Sequence, residues 1–521
     1  KGAAVPARSR RAAAINVRLL VISACAVAVI AAGAFAVHRL QKRATVTAAR
    51  AAGLEAYERG DWNEAVRELW RYMAAHPEDQ DILPKLGHAL LAAQPPSADN
   101  LMRAMRVYRT IIRANPGDDE AFARLTLLYE AAGNYGELGY IAGLRLGAKP
   151  GDAAAILAQA KGAVARQRWD EARTLIEELL PRIESTPGQA RYHSEACAML
   201  AGLALQEASE TGPDEARAYM DRAVAYAPES ATALVQRAAL NRELAERLTG
   251  AEREERLAAV RADLEHAEGL DLSAPPTRLL LAENWVALRE LDRAQQHLTA
   301  LRDVPPEQVR EHFGDPADWT VALFTAKARA ALLRRDGPAG VALADEVLTT
   351  LKGRAQTNRV LPVVVELLVN GGETARAREQ FGVLEAAVGG ERLPPERAEQ
   401  MALLDALVAT AEGRPYRVIE LLEPLASDLR ARPLLRTLLA EAYVNTGQTA
   451  RSVDVLARGG VDPRVGAEAA KLLARSYLER GQWAEARTAL APLKDTPADD
   501  AESRVLRLGA ELGLATAQQP V

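Results

Sequence analysis

Few side chains in this 521-residue chain are spaced for chemistry. The tightest grouping is the stretch HSEAC, in which His193 and Cys197 stand four residues apart with Glu195 between them. On a helix that spacing puts imidazole and thiol on one face, where they could share a metal ion. A zinc deaminase would also need a downstream P-C-x-x-C, and the chain has two cysteines in all, Cys25 and Cys197. Structural packing is the favoured reading of the group. The paired acids Glu177-Glu178 and Glu254-Glu255 sit among arginines and read as solvated helix faces with i to i+4 ion pairs. H-E-x-x-H, G-x-x-x-x-G-K-[ST] and G-x-G-x-x-G are all missing. Gly133, Gly136, Gly139 and Gly143 follow helical spacing and predict close helix packing. No catalytic residue, cofactor, metal or small-molecule substrate is expected, the competing reading being an enzyme with its site in the weakly repeating centre of the chain.

The elements that would position such residues are helical. Hydrophobic residues make up 49% of the chain but aromatics only 4%, with five Phe, so the apolar content is mostly Ala, Leu and Val. The length exceeds what one core can organise, which leaves several domains or one extended array. Two cysteines exclude a disulfide framework. The net charge of -5 hides an asymmetry: residues 1–50 hold nine Lys or Arg and no acid. Removing those nine from the 65 basic residues leaves 56 against 70 acids, a formal charge of -14 from Ala51 onward. A body so acidic is no nucleic-acid binder, whereas the basic N-terminus suits anionic lipid head groups.

Residues 19–37 read LLVISACAVAVIAAGAFAV, nineteen residues without a charge and with basic residues on both sides. A helix of that length just spans a hydrocarbon core of roughly 30 Å. The expectation is one transmembrane helix between a basic tail, 1–18, and a juxtamembrane linker, 38–47. Three alternatives compete: a signal peptide cleaved after Ala36, lipidation at Cys25 in the box ISAC, and a buried soluble helix. Five basic residues before the run against four soon after it lean toward a cytoplasmic N-terminus. In a bacterium that makes the chain a single-pass inner-membrane protein with its body in the periplasm.

Self-similarity organises the rest. ERGDWNEA at Glu58 to Ala65 returns as ERGQWAEA at Glu479 to Ala486. Around the first, Gly53, Ala56, Gly60, Trp62, Ala65, Leu69 and Tyr72 occupy the steps that Ala474, Tyr477, Gly481, Trp483, Ala486, Leu490 and Leu493 occupy around the second, and each series closes on a proline, Pro77 or Pro497. Each stretch reads as two amphipathic helices joined at a glycine, with a small residue where they approach and a proline at the end. Leu83 to Pro116, with an insertion near Pro95-Pro96, and Phe122 to Pro150 repeat the pattern, and Trp169 with Ala172, then Ala216 with Met220, mark two more units. Looser pairs follow: Ala238 with Leu264, Trp285 with Ala294, Ala330 with Leu343, Leu367 with Ala377, Leu407 with Ile419, and Tyr443 with Leu456. Turn signals such as Pro275-Pro276, Pro305-Pro306 and Pro394-Pro395 separate them. Val360 to Val369 is β-branched, yet a lone strand would lack a backbone partner, so a helix is expected there too.

These offsets resemble the tetratricopeptide repeats. The resemblance implies an all-α, right-handed superhelical solenoid of about twelve helix pairs behind the membrane helix. Residues 48–228 hold the well-matched units, 229–430 divergent pairs, 431–515 the C-terminal units with a capping helix over Ala501 to Leu514, and 516–521 a tail. It implies a scaffold or adaptor that binds partner proteins on a concave groove lined by the first helix of each pair. One subgroup clamps C-terminal carboxylates with Lys and Asn, but the matching positions here are Arg50, Leu54, Lys85, His88, Ala123, Arg124 and Leu127, without the Asn residues. Lys85, His88 and Arg124 remain as candidate partner contacts.

Overall fold

A computed structural model describes residues 39, 44–95, 97–184, 186, 188–206, 211–388, 394–426, 433–458, 466–494 and 500–517. The expected membrane span, 19–37, lies outside them, as do the lipidation box and cleavage site. Among the described residues no helix is long and apolar enough to cross a membrane.

Every regular element among the described residues is helical. In chain order they are α1 (44–58), α2 (Trp62–Met73), α3 (Leu83–Ala92), α4 (Ala98–Ala114), α5 (Asp119–Ala131), α6 (Tyr135–Ala148), α7 (Ala153–Ala165), α8 (Trp169–Ile183), α9 (Ala190–Gln206) and α10 (Gly212–Tyr226). Then come α11 (Ala231–Ala245), α12 (Gly250–Glu268), α13 (Pro275–Ala287), α14 (Leu291–Ala300), α15 (Pro306–Phe313), α16 (Pro316–Arg334), α17 (Gly337–Thr350) and α18 (Thr357–Asn370). The last are α19 (Thr374–Val388), α20 (Pro395–Ala411), α21 (Pro415–Leu422), α22 (Pro433–Asn445), α23 (Thr449–Arg458), α24 (Gly466–Glu479), α25 (Trp483–Leu490) and α26 (Ala501–Ala517). With α15 and α26 set aside, they form twelve consecutive hairpins, an α-solenoid arrangement. The hairpins fall into two compact units, one made of Lys1–Ala227 with Pro305–Pro316, the other of Pro228–Val304 with Ala317–Val521.

The hairpin turn has one chemical solution used repeatedly. At the end of α1 the Gly60 amide donates to the Tyr57 carbonyl at 3.1 Å and the Asp61 amide to the Ala56 carbonyl at 2.9 Å, the Schellman pair that satisfies the last carbonyls. Gly60 has φ of +74°, a region that costs an L side chain free energy. Four hundred residues on, Gly481 repeats the turn with φ of +71°, its amide donating to the Leu478 carbonyl and the Gln482 amide to that of Tyr477. Even the tryptophans match, since a Cβ on Gly60 or Gly481 would stand 3.7 Å from Cζ2 of Trp62 or Trp483. Among the described residues the same two bonds close nine of the turns, and in three of them a non-glycine residue holds the left-handed position: Gln167, Arg289 and Arg335.

Between paired helices the spacing is set by small residues. A Cβ on Gly53 would meet Leu69 Cδ2 at 2.6 Å, and one on Gly87 would meet the Tyr108 ring at 2.8 Å, so both glycines admit a large neighbour. The glycines along α6 are otherwise: a Cβ on Gly136, Gly139 or Gly143 meets nothing within 4 Å. Close packing does not explain them, because they face away from the core side formed by Leu138, Ile141 and Ala142. Gly133 lies in the turn with φ of +64° rather than on the helix.

The β-branched run Val360 to Val369 is helical within α18, where Val360, Leu361, Val364, Val365, Leu367 and Leu368 are fully buried. Tertiary burial there overrides local strand propensity. The closing helix α26 packs on α24 and α25, with Gly513 against the Trp483 ring. Its other side is not polar: Val505, Leu508 and Leu512 are each about two-thirds exposed.

Pro305-Pro306 does more than separate two hairpins. It starts an additional helix, α15, because proline at the first helical position has the required φ and no amide to leave unbonded. With Val309 as its one buried apolar side chain, α15 is too poorly hydrophobic to form a hairpin with its sequence neighbours, and it packs instead on α3 and α5.

The left-handed turn positions make a reciprocal test. Gln167→Gly should raise unfolding stability by about 0.5–1 kcal/mol and Gly481→Ala should lower it by about 1 kcal/mol. Urea midpoints compared with the parent protein check both signs.

Candidate functional site

The first helices of the hairpins in the N-terminal unit carry the candidate residues, and polar side chains tie those helices to one another. From α1 the Tyr57 hydroxyl reaches His88 Nδ1 on α3 at 3.2 Å. His88 sits edge-on to the Tyr57 and Trp62 rings, with centroids 5.6 and 5.2 Å away, and Lys85 holds its ammonium 5.7 Å above the Tyr57 ring. Burial, with the nearby Arg124 charge, pushes the His88 imidazole below its usual pKa. In the tautomer that carries its proton on Nε2, the neutral ring accepts from Tyr57 at Nδ1. Lys85 is exposed, and His88 is half-buried.

Farther along the same face, Lys161 on α7 lies between Glu130 on α5, at 2.8 Å, and Glu195 on α9, at 2.7 Å. Burial alone would depress the Lys161 ammonium, but Glu195 and Glu130 outweigh it and hold the pKa above the ordinary value. One cation thus joins three successive first helices. Arg145 plays a comparable part at the back, buried and bonded to Asp152 at 2.9 Å and to Asp119 at 2.5 Å.

Arg124 on α5 donates through Nε to Glu120 at 3.1 Å and through Nη1 to Glu311, which belongs to α15. The preceding residue, Arg310, is 1% exposed and carries its guanidinium to the end of α3. Nη1 donates to the carbonyls of Leu90, at 3.0 Å, and Leu91, and Nη2 to that of Ala93 at 2.6 Å. Those are carbonyls of the last turn and C-cap of α3, so the cation caps the negative end of the helix dipole. Burial lowers the Arg310 pKa and raises that of Glu311, which Arg124 partly offsets. α15 ends at Gly314, whose φ is +67° and where a Cβ would come within 3.2 Å of the Ala131 carbonyl.

The three sequence candidates are therefore on one face but in two settings. Lys85 and His88 belong to an aromatic cluster with Tyr57 and Trp62, whereas Arg124 is engaged by the chain itself. The residues that sequence reasoning missed are Arg310 and Glu311. Proline at its start and glycine at its end made α15 findable as a helix. Its target was not findable, for Arg124 and Glu311 are 187 positions apart.

The HSEAC stretch is on α9, inside the N-terminal unit. Cys197 Sγ lies 3.6 Å from His193 Nδ1, and the imidazole stacks on Tyr226 at a centroid distance of 3.5 Å. Burial pushes the Cys197 thiol up to about 11 and the His193 imidazole down. Both groups are held neutral, the opposite of the thiolate-imidazolium pair a nucleophilic cysteine requires. Glu195 faces Lys161 instead. Among the described residues no group of three or more His, Cys, Asp or Glu could hold a metal ion. Of the paired acids, Glu177 lies 3.7 Å from Arg173 and Glu254 3.2 Å from Arg253.

No protein-family model and no curated protein matches the chain. Solved structures do. The crystal structure of yeast Tom70 is 13% identical, with 92% of this chain and 98% of that one covered at a TM-score of 0.31. The TPR domain of P58(IPK) is 12% identical over 91% of this chain and 99% of that one, at 0.31. The Cut9-Hcn1 hetero-tetramer of the APC/C is 11% identical over 89% and 96%, at 0.36. With TM-scores this low, the repeat architecture stands on this chain's own hairpins and turns.

In a Cys25→Ala variant, the remaining Cys197 thiol should react with a maleimide at pH 8 at least about a hundredfold more slowly in the folded protein than in guanidinium, because so little thiolate exists at a raised pKa. Equal rates would restore Cys197 as a nucleophile candidate.

Proposed function

We propose that the chain is a non-catalytic scaffold of tetratricopeptide type that binds partner proteins on the first-helix face of its N-terminal unit. The observation that carries this reading is the seating of α15 on α3 and α5: the face already holds a helix, through a guanidinium on the α3 carbonyls and a carboxylate on Arg124. A surface able to satisfy a charged helical segment in one chain has the donors, acceptors and shape to do so for another. Lys85 and His88 extend it beside α15 with a cation and an amphipathic ring. The neutral setting of His193 and Cys197 supports the absence of catalysis there.

The finer parts of the proposal concern location. Residues 19–37 anchor the chain in the inner membrane of a bacterium as a single pass, residues 1–18 stay in the cytoplasm, and the body, in a right-handed superhelix, works in the periplasm on assembly of an envelope complex. Anchoring confines the partner to the membrane plane and raises its local concentration.

Formaldehyde cross-linking in native membranes, followed by identification of the captured protein, tests the binding face. Lys85→Glu should cut the yield of a specific partner about tenfold, and an unchanged yield would remove Lys85 from the contact. Intact-mass measurement of the membrane-extracted protein should find residues 19–37 retained, whereas a chain beginning at Val37 would replace the anchor by a cleaved signal and a soluble adaptor.

A further inference from the structure

The helix α15 is an occupant of the face rather than a part of the stack. Its flanking residues, up to Val304 and from Ala317, belong to the C-terminal unit, while Pro305–Pro316 belongs to the N-terminal one. It joins no hairpin, and its backbone is closed at both ends. Pro306 needs no amide partner, and the Gly314 amide closes the last turn on the Arg310 carbonyl at 3.0 Å.

Its attachment is polar. Val309 is its one buried apolar side chain, with Arg310 buried beside it and the other six residues half-buried, whereas α5 alone buries Ala121, Phe122, Leu125, Leu128 and Tyr129. Segments that bury little apolar surface are the ones that open locally while the rest stays folded. The buried arginine also retains an unbonded Nε. Its hydrogen bonds go to backbone carbonyls, with the Glu307 charge nearby, so another guanidinium can take the same acceptors.

We propose that α15 is a built-in, displaceable ligand of the α3–α5 face, and that the partner segment replacing it is a helix bearing an arginine followed directly by an acidic residue. This deepens the binding reading above and rests on it. Once α15 leaves, the carbonyls of Leu90, Leu91 and Ala93 lose their donor, and the half-buried guanidinium of Arg124 keeps Glu120 but has its Nη1 side open to a second carboxylate. A planar fork of donors can span three carbonyls where a single ammonium cannot, which selects arginine over lysine. The adjacent carboxylate then falls on Arg124, as Glu311 does. Access to the face is gated, because a partner must compete with a ligand tethered at high effective concentration.

The test uses the full-length chain in detergent and a fluorescent peptide of residues 305–316 as probe. Arg310→Ala in the chain should tighten binding of the wild-type peptide at least tenfold relative to the unaltered chain. A peptide carrying Arg310→Lys should lose that gain. Binding to the Arg310→Ala chain no tighter than to the parent, with unchanged helical circular dichroism, would overturn the proposal. Hydrogen exchange on the unaltered chain decides the matter if the variant misfolds: amides of α15 should exchange at least a hundredfold faster than those of α5, and equal protection would make α15 a fixed brace. A partner cross-link lost in Lys85→Glu but indifferent to Arg310→Ala would overturn the gate and leave the binding face standing.

Discussion

Everything in this molecule depends on how closely two helices in a hairpin can approach. With five Phe in the whole chain, its core volume comes from Ala, Leu and Val. Alanines are fully buried at the pair contacts from end to end, among them Ala56 and Ala65, Ala172, Ala216, Ala377, Ala474 and Ala486. A methyl or a glycine at the crossing brings the helices near the lower end of the usual 8–10 Å separation, and leucines from either side then fill the remaining space. Such a hairpin has no interior of its own. It hides its second apolar face only against the next hairpin, so stability accrues as a sum of neighbour contacts along the chain.

Polar groups do a different task in the N-terminal unit. Lys161 between Glu130 and Glu195, and Tyr57 against His88, register one first helix against the next with groups of definite length and direction. Dispersion among alanines is forgiving about a slide of an ångström; a hydrogen bond is not. Between α3 and α5 the bridge is made by Arg310 and Glu311 of α15, the place where registration comes from a segment that is not itself in the stack.

The hairpins were legible because their two signals are local. Period 3.6 marks the helices, and a residue tolerant of positive φ marks the turn, so even the loose pairs around Trp285 or Tyr443 could be drawn from single residues. Where Gln167, Arg289 and Arg335 take the turn position the signal vanishes though the turn does not. The glycines of α6 misled for the converse reason: helical spacing says that residues share a side, but not which side is covered. HSEAC was legible as packing because two ligands cannot make a metal site. The Arg310 cap could not be read, since a carbonyl on Leu90 leaves no trace in the identity of Leu90. Long-range polar recognition of backbone is invisible to composition and periodicity alike.

The cap also sets an order of events in synthesis. Arg310 bonds to Leu91 across 219 positions, a separation no hairpin approaches. Local pairs close loops of a few residues and form early, while contacts of high sequence separation bear the loop-closure entropy and form late. As the chain leaves the ribosome, α1 to α10 can therefore stack while the C-terminal turn of α3 still faces water. The N-terminal unit is born unfilled and receives its own ligand only after residue 313 has been made, an interval in which a waiting partner meets no competitor.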